Sequence, residues 1–203
     1  IGWQRFKNSE NYKYLMLYLE KDATIEGVHY KIISEEDASC MAIGRERHVK
    51  KDTRSGETII YIKEEIQIDG KAYSVTEIAD SAFNKYDDFV SVNLPNSLRR
   101  IGKSAFEASQ GLVSVNIPEG ITEIYNSYPP NMTGDVRIPQ GVKKITGIGG
   151  KPTSIYIPEG VEVIGDRSLT YSTIKGDIHL PSSVKKIEWG AFSGCLSLEN
   201  VYI

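Results

Sequence analysis

The sequence predicts a mainly β solenoid, and three recurrences carry that expectation. An apolar residue followed by proline returns five times: Leu94-Pro95, Ile117-Pro118, Ile138-Pro139, Ile157-Pro158 and Leu180-Pro181, with prolines 23, 21, 19 and 23 residues apart. Between the anchors an apolar-x-x-Ile signature returns as Val75–Ile78, Leu98–Ile101, Ile121–Ile124, Val142–Ile145, Val161–Ile164 and Val184–Ile187. Before each anchor stands a two-residue alternation such as Val92-x-Leu94 or Val115-x-Ile117, which continues to Val201-x-Ile203 at the end of the sequence. One such unit cannot bury its apolar face alone, whereas stacked units share one continuous core.

The elements follow in order. Residues 1–23 are a lead-in. Ile1, Trp3, Phe6 and Leu17 fall at the spacing of Ile187, Trp189, Phe192 and Ile203, so the lead-in is either a partial repeat or a short amphipathic helix. Residues 24–74 read as a β-rich segment. Val28–Ile33 and Thr58–Ile62 are β-branched and aromatic, and Ser39–Gly44 is a weaker strand between them. The polar run 45–56 reads as an exposed loop. Asp69-Gly70 is a tight-turn signal joining Ile66-x-Ile68 to Tyr73-x-Val75.

Residues 75–203 hold the repeats, about six units of which two are shortened. Period-2 alternation turns Val115 and Ile117 inward and Asn116 outward. The proline ends the strand because it has no N–H for the next rung. Three units then carry Ala-Phe on the return side, at Ala82-Phe83, Ala105-Phe106 and Ala191-Phe192, and a fourth carries Ser168-Leu169. Units 121–141 and 142–160 lack the pair, which predicts a looser return side there.

These residues resemble the BspA-type leucine-rich repeat, whose pattern runs approximately L-x-x-V-x-I-P-x-x-V-x-x-I-G-x-x-A-F-x-x-C. Residues 184–203 match it down to Gly194-Cys195, and residues 98–120 match with Ser109 at the cysteine position. The resemblance implies a right-handed leucine-rich-repeat stack with a β-hairpin-rich N-terminal cap. It further implies a bacterial protein that is secreted or attached at the cell surface, with a part in adhesion or host contact. Composition itself names no compartment: Tyr14–Leu19 is apolar but lacks the cleavage site of a signal peptide. The sequence starts without Met and stops within the repeat pattern, so it reads as a piece of a longer or processed product.

Composition removes several classes of function. Of the 203 residues, 24 are Lys or Arg and 27 Asp or Glu, spread evenly, so no segment is basic enough for a phosphate-binding surface and no nucleic acid partner is expected. Two cysteines cannot make a disulfide framework or a four-thiolate zinc site. No apolar run reaches the roughly 18 residues of a membrane span. His29, His48 and His179 are not at ligand spacing, and no nucleophile elbow or phosphate-cradling glycine loop is present. The reading is therefore non-enzymatic, with no cofactor and no metal. Cys195 and Cys40 are expected as packed thiols. The basic pairs Arg99-Arg100, Lys143-Lys144 and Lys185-Lys186 read as a solvated edge, and Asn131-Met-Thr133 is a formal glycosylation sequon.

One feature points to binding. The outward residue between the two inward ones is, unit by unit, Asn93, Asn116, Arg137, Tyr156, His179 and Tyr202, with Asp135 and Asp177 in the neighbouring outward column. At about 4.8 Å per strand these would line up over roughly 24 Å. Tyr, His and Arg are favoured in binding surfaces, so the row is the expected contact face for a protein or glycan. The alternative is a structural spacer within a longer surface-anchored repeat protein.

Overall fold

The computed structural model describes residues 22–45, 59–125 and 128–203. The predicted half-repeat over residues 1–17 and most of the polar run 45–56 lie outside them. The described residues form strands and turns, without a helix.

The N-terminal part comprises β1 (Asp22–Ile25), β2 (Val28–Ser34), β3 (Ser39–Arg45), β4 (Ile59–Tyr61), β5 (Glu65–Ile68) and β6 (Lys71–Ile78). One sheet runs in the order β1-β2-β3-β6-β5. β1, β2 and β3 are antiparallel neighbours, as are β5 and β6, whose hairpin turns at Asp69 (φ 52°) and Gly70 (φ 78°). β3, however, pairs parallel to β6, and β4 pairs parallel to a strand of the first repeat.

From there the chain alternates between two kinds of short strand. The pre-proline segments are β7 (Ser91–Asn93), β9 (Ser114–Val115), β11 (Thr133–Arg137), β13 (Lys151–Tyr156), β15 (Gly176–His179) and β17 (Leu198–Tyr202). The apolar-x-x-Ile segments are β8 (Arg100–Ile101), β10 (Glu123–Tyr125), β12 (Lys144–Thr146), β14 (Val163–Ile164) and β16 (Lys186–Ile187). Each kind pairs with its own kind, in parallel and one unit on. β6 pairs with β8, and β10-β12-β14-β16 form one sheet. The pre-proline strands form three sets: β4-β7-β9, β11-β13 and β15-β17.

The two inward positions of each unit meet in one apolar cluster that runs from Val28 to Ala191. Ile78, Ile101, Ile124, Ile145 and Ile164 are at most 1% exposed, which is the packing the Ile signature predicts, whereas Ile187 in the last unit is 40% exposed. On the return side Phe83 and Phe106 are fully buried and stack with centroids 5.7 Å apart. The shortened units are not looser there. Tyr128, Met132 and Ile148 are buried, and Ile148 donates its N–H to Ser168 as Phe83 does to Ala105. A different apolar residue has entered the vacant position, which composition alone does not disclose.

Two residues on each full return turn are left-handed: Ser81 and Lys85, Ser104 and Ala108, Arg167 and Tyr171, Gly190 and Gly194. Only the last pair is glycine. An L residue there costs roughly 1–2 kcal/mol, which the surrounding inter-unit hydrogen bonds offset.

Arg45 corrects the expectation of an exposed loop. It closes β3, and its side chain is 0% exposed. Its guanidinium pairs with Asp88 and lies 5.0 Å from the Tyr86 ring centroid and 5.1 Å from that of Phe89. A run of polar neighbours masked this single buried cation.

Candidate functional site

All eight residues expected on the binding face are exposed. Asn93 ends β7, Asn116 follows β9, Asp135 and Arg137 lie on β11, Tyr156 ends β13, Asp177 and His179 lie on β15, and Tyr202 ends β17. Their inward neighbours Val92, Val136 and Ile178 are buried, so alternation aims them as expected. The row is not one unbroken ladder. It divides with the strand sets, so direct register partners are Arg137 with Tyr156 and His179 with Tyr202.

Within those sets the side chains engage one another. The Arg137 guanidinium lies 4.8 Å from the centroid of Tyr156. The His179 and Tyr202 rings stack at 4.9 Å with planes 12° apart. In the next column Ser154 donates to Asp135 Oδ1 at 2.6 Å, and Asn200 Nδ2 donates to Asp177 Oδ1 at 2.8 Å. Tyr156 and Tyr202 nevertheless remain 47% and 48% exposed. A half-exposed tyrosine held by a neighbour offers apolar area with little rotamer freedom left to lose.

One member of the row escaped the proline-based reading. Tyr61 pairs in register with Asn93 and is 54% exposed. Tyr61-Ile62-Lys63-Glu64 matches Tyr156-Ile157-Pro158-Glu159 with lysine in place of proline. The glutamate was the usable signal. Glu64 accepts from the backbone N–H of Asn96 and Ser97, as Glu119 does from Gln140 and Glu159 from Ser182, each one unit on. Those two amide donors hold the Glu64 carboxyl below its ordinary range.

Several other charged residues have structural partners. Of the basic pairs, Arg100 binds Glu77 and Asp80, Lys144 and Lys186 converge on Glu188, and Lys185 binds Glu162. The Arg100 and Lys185 pairs link neighbouring units, Lys144 reaches Glu188 two units on, and Lys186 meets it within one unit. Glu188 also accepts from the Asp166 N–H, and with Lys186, Lys144 and that amide around it the carboxyl is lowered to about 2.

Cys40 is buried, and burial pushes its thiol up to about 11, so the reactive thiolate is disfavoured. Cys195 donates to the Leu169 carbonyl and touches the Ser172 hydroxyl. Ser109 stands at the same position four units earlier and donates to the Phe83 carbonyl while accepting from Tyr86 N–H. His29 is occupied by Thr24, and His48 lies outside the described residues. Among the described residues no group of three His, Cys, Asp or Glu could hold a metal ion, and no helix is long and apolar enough to cross a membrane.

The chain is similar in fold to several solved bacterial structures. A leucine-rich cell surface protein from Faecalibacterium prausnitzii superposes with a TM-score of 0.66 at 19% identity, covering 89% of this chain and 54% of that one. The pneumococcal vaccine antigen PcpA gives 0.67 at 17% identity, covering 89% and 49%. A leucine-rich repeat protein from Bacteroides capillosus gives 0.55 at 16% identity, covering 68% and 99%. The chain thus spans about half the length of the first two. No curated protein sequence matches it. The model of the BspA-type leucine-rich repeat region matches in six copies over residues 63–147 and 149–203. With that repeat covering most of its length, the chain belongs to the BspA-type leucine-rich repeat family.

Proposed function

We propose that the chain is a non-enzymatic binding or adhesion module of a bacterial surface protein, presenting the row Asn93, Asn116, Arg137, Tyr156, His179 and Tyr202, with Asp135 and Asp177 beside it, to a protein or glycan partner. On this reading residues 75–203 are a right-handed solenoid and residues 24–74 cap its first coil, which would otherwise present unpaired strand groups and apolar surface. The supporting observation is the pair of ordered, half-exposed tyrosines, Tyr156 over Arg137 and Tyr202 against His179. Ordering aromatic and arginine side chains before contact lowers the entropy that binding must overcome. The surface location rests on the family and on the Faecalibacterium neighbour, which is a cell surface protein.

A pull-down from candidate host proteins combined with a glycan array tests the assignment. Tyr156→Ala and Tyr202→Ala are each expected to weaken retention of the partner about tenfold or more, the loss typical of an interface anchor. A partner held equally by both variants and the parent protein moves the binding surface elsewhere.

A further inference from the structure

The row contains one device built twice. Gly134-Asp135-Val136-Arg137-Ile138-Pro139 recurs 42 positions later as Gly176-Asp177-Ile178-His179-Leu180-Pro181. Both glycines are left-handed, with φ of 87° and 73°, and a Cβ added at either would meet nothing within 4 Å. Backbone conformation rather than crowding therefore calls for glycine. Opposite both glycines the register shifts by one residue, because the next strand carries an extra one there, Thr153 in β13 and Glu199 in β17. A bulge of this kind re-aims the side chains that follow it.

The side chains repeat as well. Each aspartate takes a hydrogen bond on Oδ1 from the next unit, from Ser154 or from Asn200. Each cation or imidazole lies against the tyrosine of the next unit, Tyr156 or Tyr202. The units of β7 and β9 carry Val-Ser where these carry Gly-Asp, and have neither aromatic nor carboxylate on this face. The repeat pattern itself therefore does not require the device.

We infer that the two devices are twin subsites for one neutral, hydroxyl-rich glycan chain, a proposal that deepens the binding reading above and rests on it. A carboxylate is acceptor-only, and with Oδ1 taken by a neighbour Oδ2 asks for a donor such as a sugar hydroxyl. The tyrosine ring beside it carries a negative π face, which suits the C–H face of a sugar. Charge agrees: Asp135 offsets Arg137, and Asp177 stands beside an imidazole, so neither an anionic nor a strongly cationic polymer is matched. The subsites sit on alternate units, two strand spacings or roughly 10 Å apart, so one chain of several sugars reaches both.

Twin subsites make a length-dependent prediction. Titration calorimetry with neutral oligosaccharides of gluco, galacto, manno and N-acetylglucosamine type, from disaccharide to hexasaccharide, is expected to find one type whose longer members bind at least about 100-fold more tightly than its disaccharide, because the second contact becomes intramolecular. Tyr156→Ala and Tyr202→Ala should each return the longer glycan to the affinity of the disaccharide. Both tyrosines are half-exposed, and near-ultraviolet circular dichroism checks that the variants are folded. Glycan affinity independent of length, or unaltered in both variants, overturns the inference. Binding of a protein that both variants lose, with no glycan bound, overturns the glycan assignment and leaves the broader binding reading standing. No ligand of either class at this face overturns both.

Discussion

The return sides of units 98–120 and 121–141 solve one packing problem with different parts. The first uses the expected Ala105-Phe106, with Phe106 buried against Phe83 and Ser109 bonded to Phe83 and Tyr86 of the preceding unit. The second has no Ala-Phe and buries Tyr128 and Met132 instead. Tyr128 brings a hydroxyl with no partner in the core, and burial raises its ionisation well above the ordinary tyrosine range. What persists across units is backbone linkage: Phe83 N–H to Ala105, Ser104 N–H to Tyr125, Ile148 N–H to Ser168, Leu169 N–H to Ala191. The comparison teaches that main-chain hydrogen bonds set the stacking register, while the side chains need only fill the volume.

Substitutions at four positions sharpen or break that comparison. The largest effect is expected at Phe106→Ala, which removes a fully buried ring from the regular unit and should lower unfolding free energy by about 3–5 kcal/mol in urea denaturation. A loss below about 1 kcal/mol would mean the unit collapses to fill the gap, and that the regular return side is no better packed than the shortened one. Ser109→Ala comes next. It leaves the Phe83 carbonyl and the Tyr86 amide without their side-chain partner, for about 1–3 kcal/mol by the same measurement, whereas Ser109→Cys, the residue found at Cys195, should retain most of the stability.

In the shortened unit the sign reverses. Tyr128→Phe removes a buried unpaired hydroxyl and should raise stability by about 1 kcal/mol, seen as a higher melting temperature. A loss instead would reveal a partner for that hydroxyl in solution. The smallest effect concerns Glu188, which binds Lys186 of its own unit and Lys144 two units earlier. Its carboxyl is lowered from 4.5 to about 2, so its stabilisation is complete above the unfolded value and is lost as pH falls through about 2. Glu188→Gln should make the urea midpoint less sensitive to acid between those limits.

Much of this was legible in the sequence, and the omissions have physical causes. Alternation and the Ile signature give the inward and outward positions because both report burial directly. The N-terminal strands and the Asp69-Gly70 turn were readable from β-branching and turn chemistry. Tyr61 was missed because the search was tied to proline, whereas the unit of β4 keeps the strand and the glutamate bracket with Lys63 in the anchor position. Arg45 was missed because a charged residue is ordinarily solvated, and only the tertiary pairing with Asp88 and two aromatic rings brings it inside. The division of the row into three strand sets was also not readable. It depends on which neighbouring pre-proline strands pair, and their sequence pattern is alike in every unit.

The backbone bonds that join the repeats nearly all link residues about one unit apart, such as Gly165 to Ile145 and Leu180 to Tyr202. Cohesion is therefore held between nearest neighbours. A molecule assembled this way yields to mechanical load in small steps: tension along the chain peels one turn after another, each releasing its own length while those behind it hold. Such yielding spreads a sudden tug over many modest ruptures.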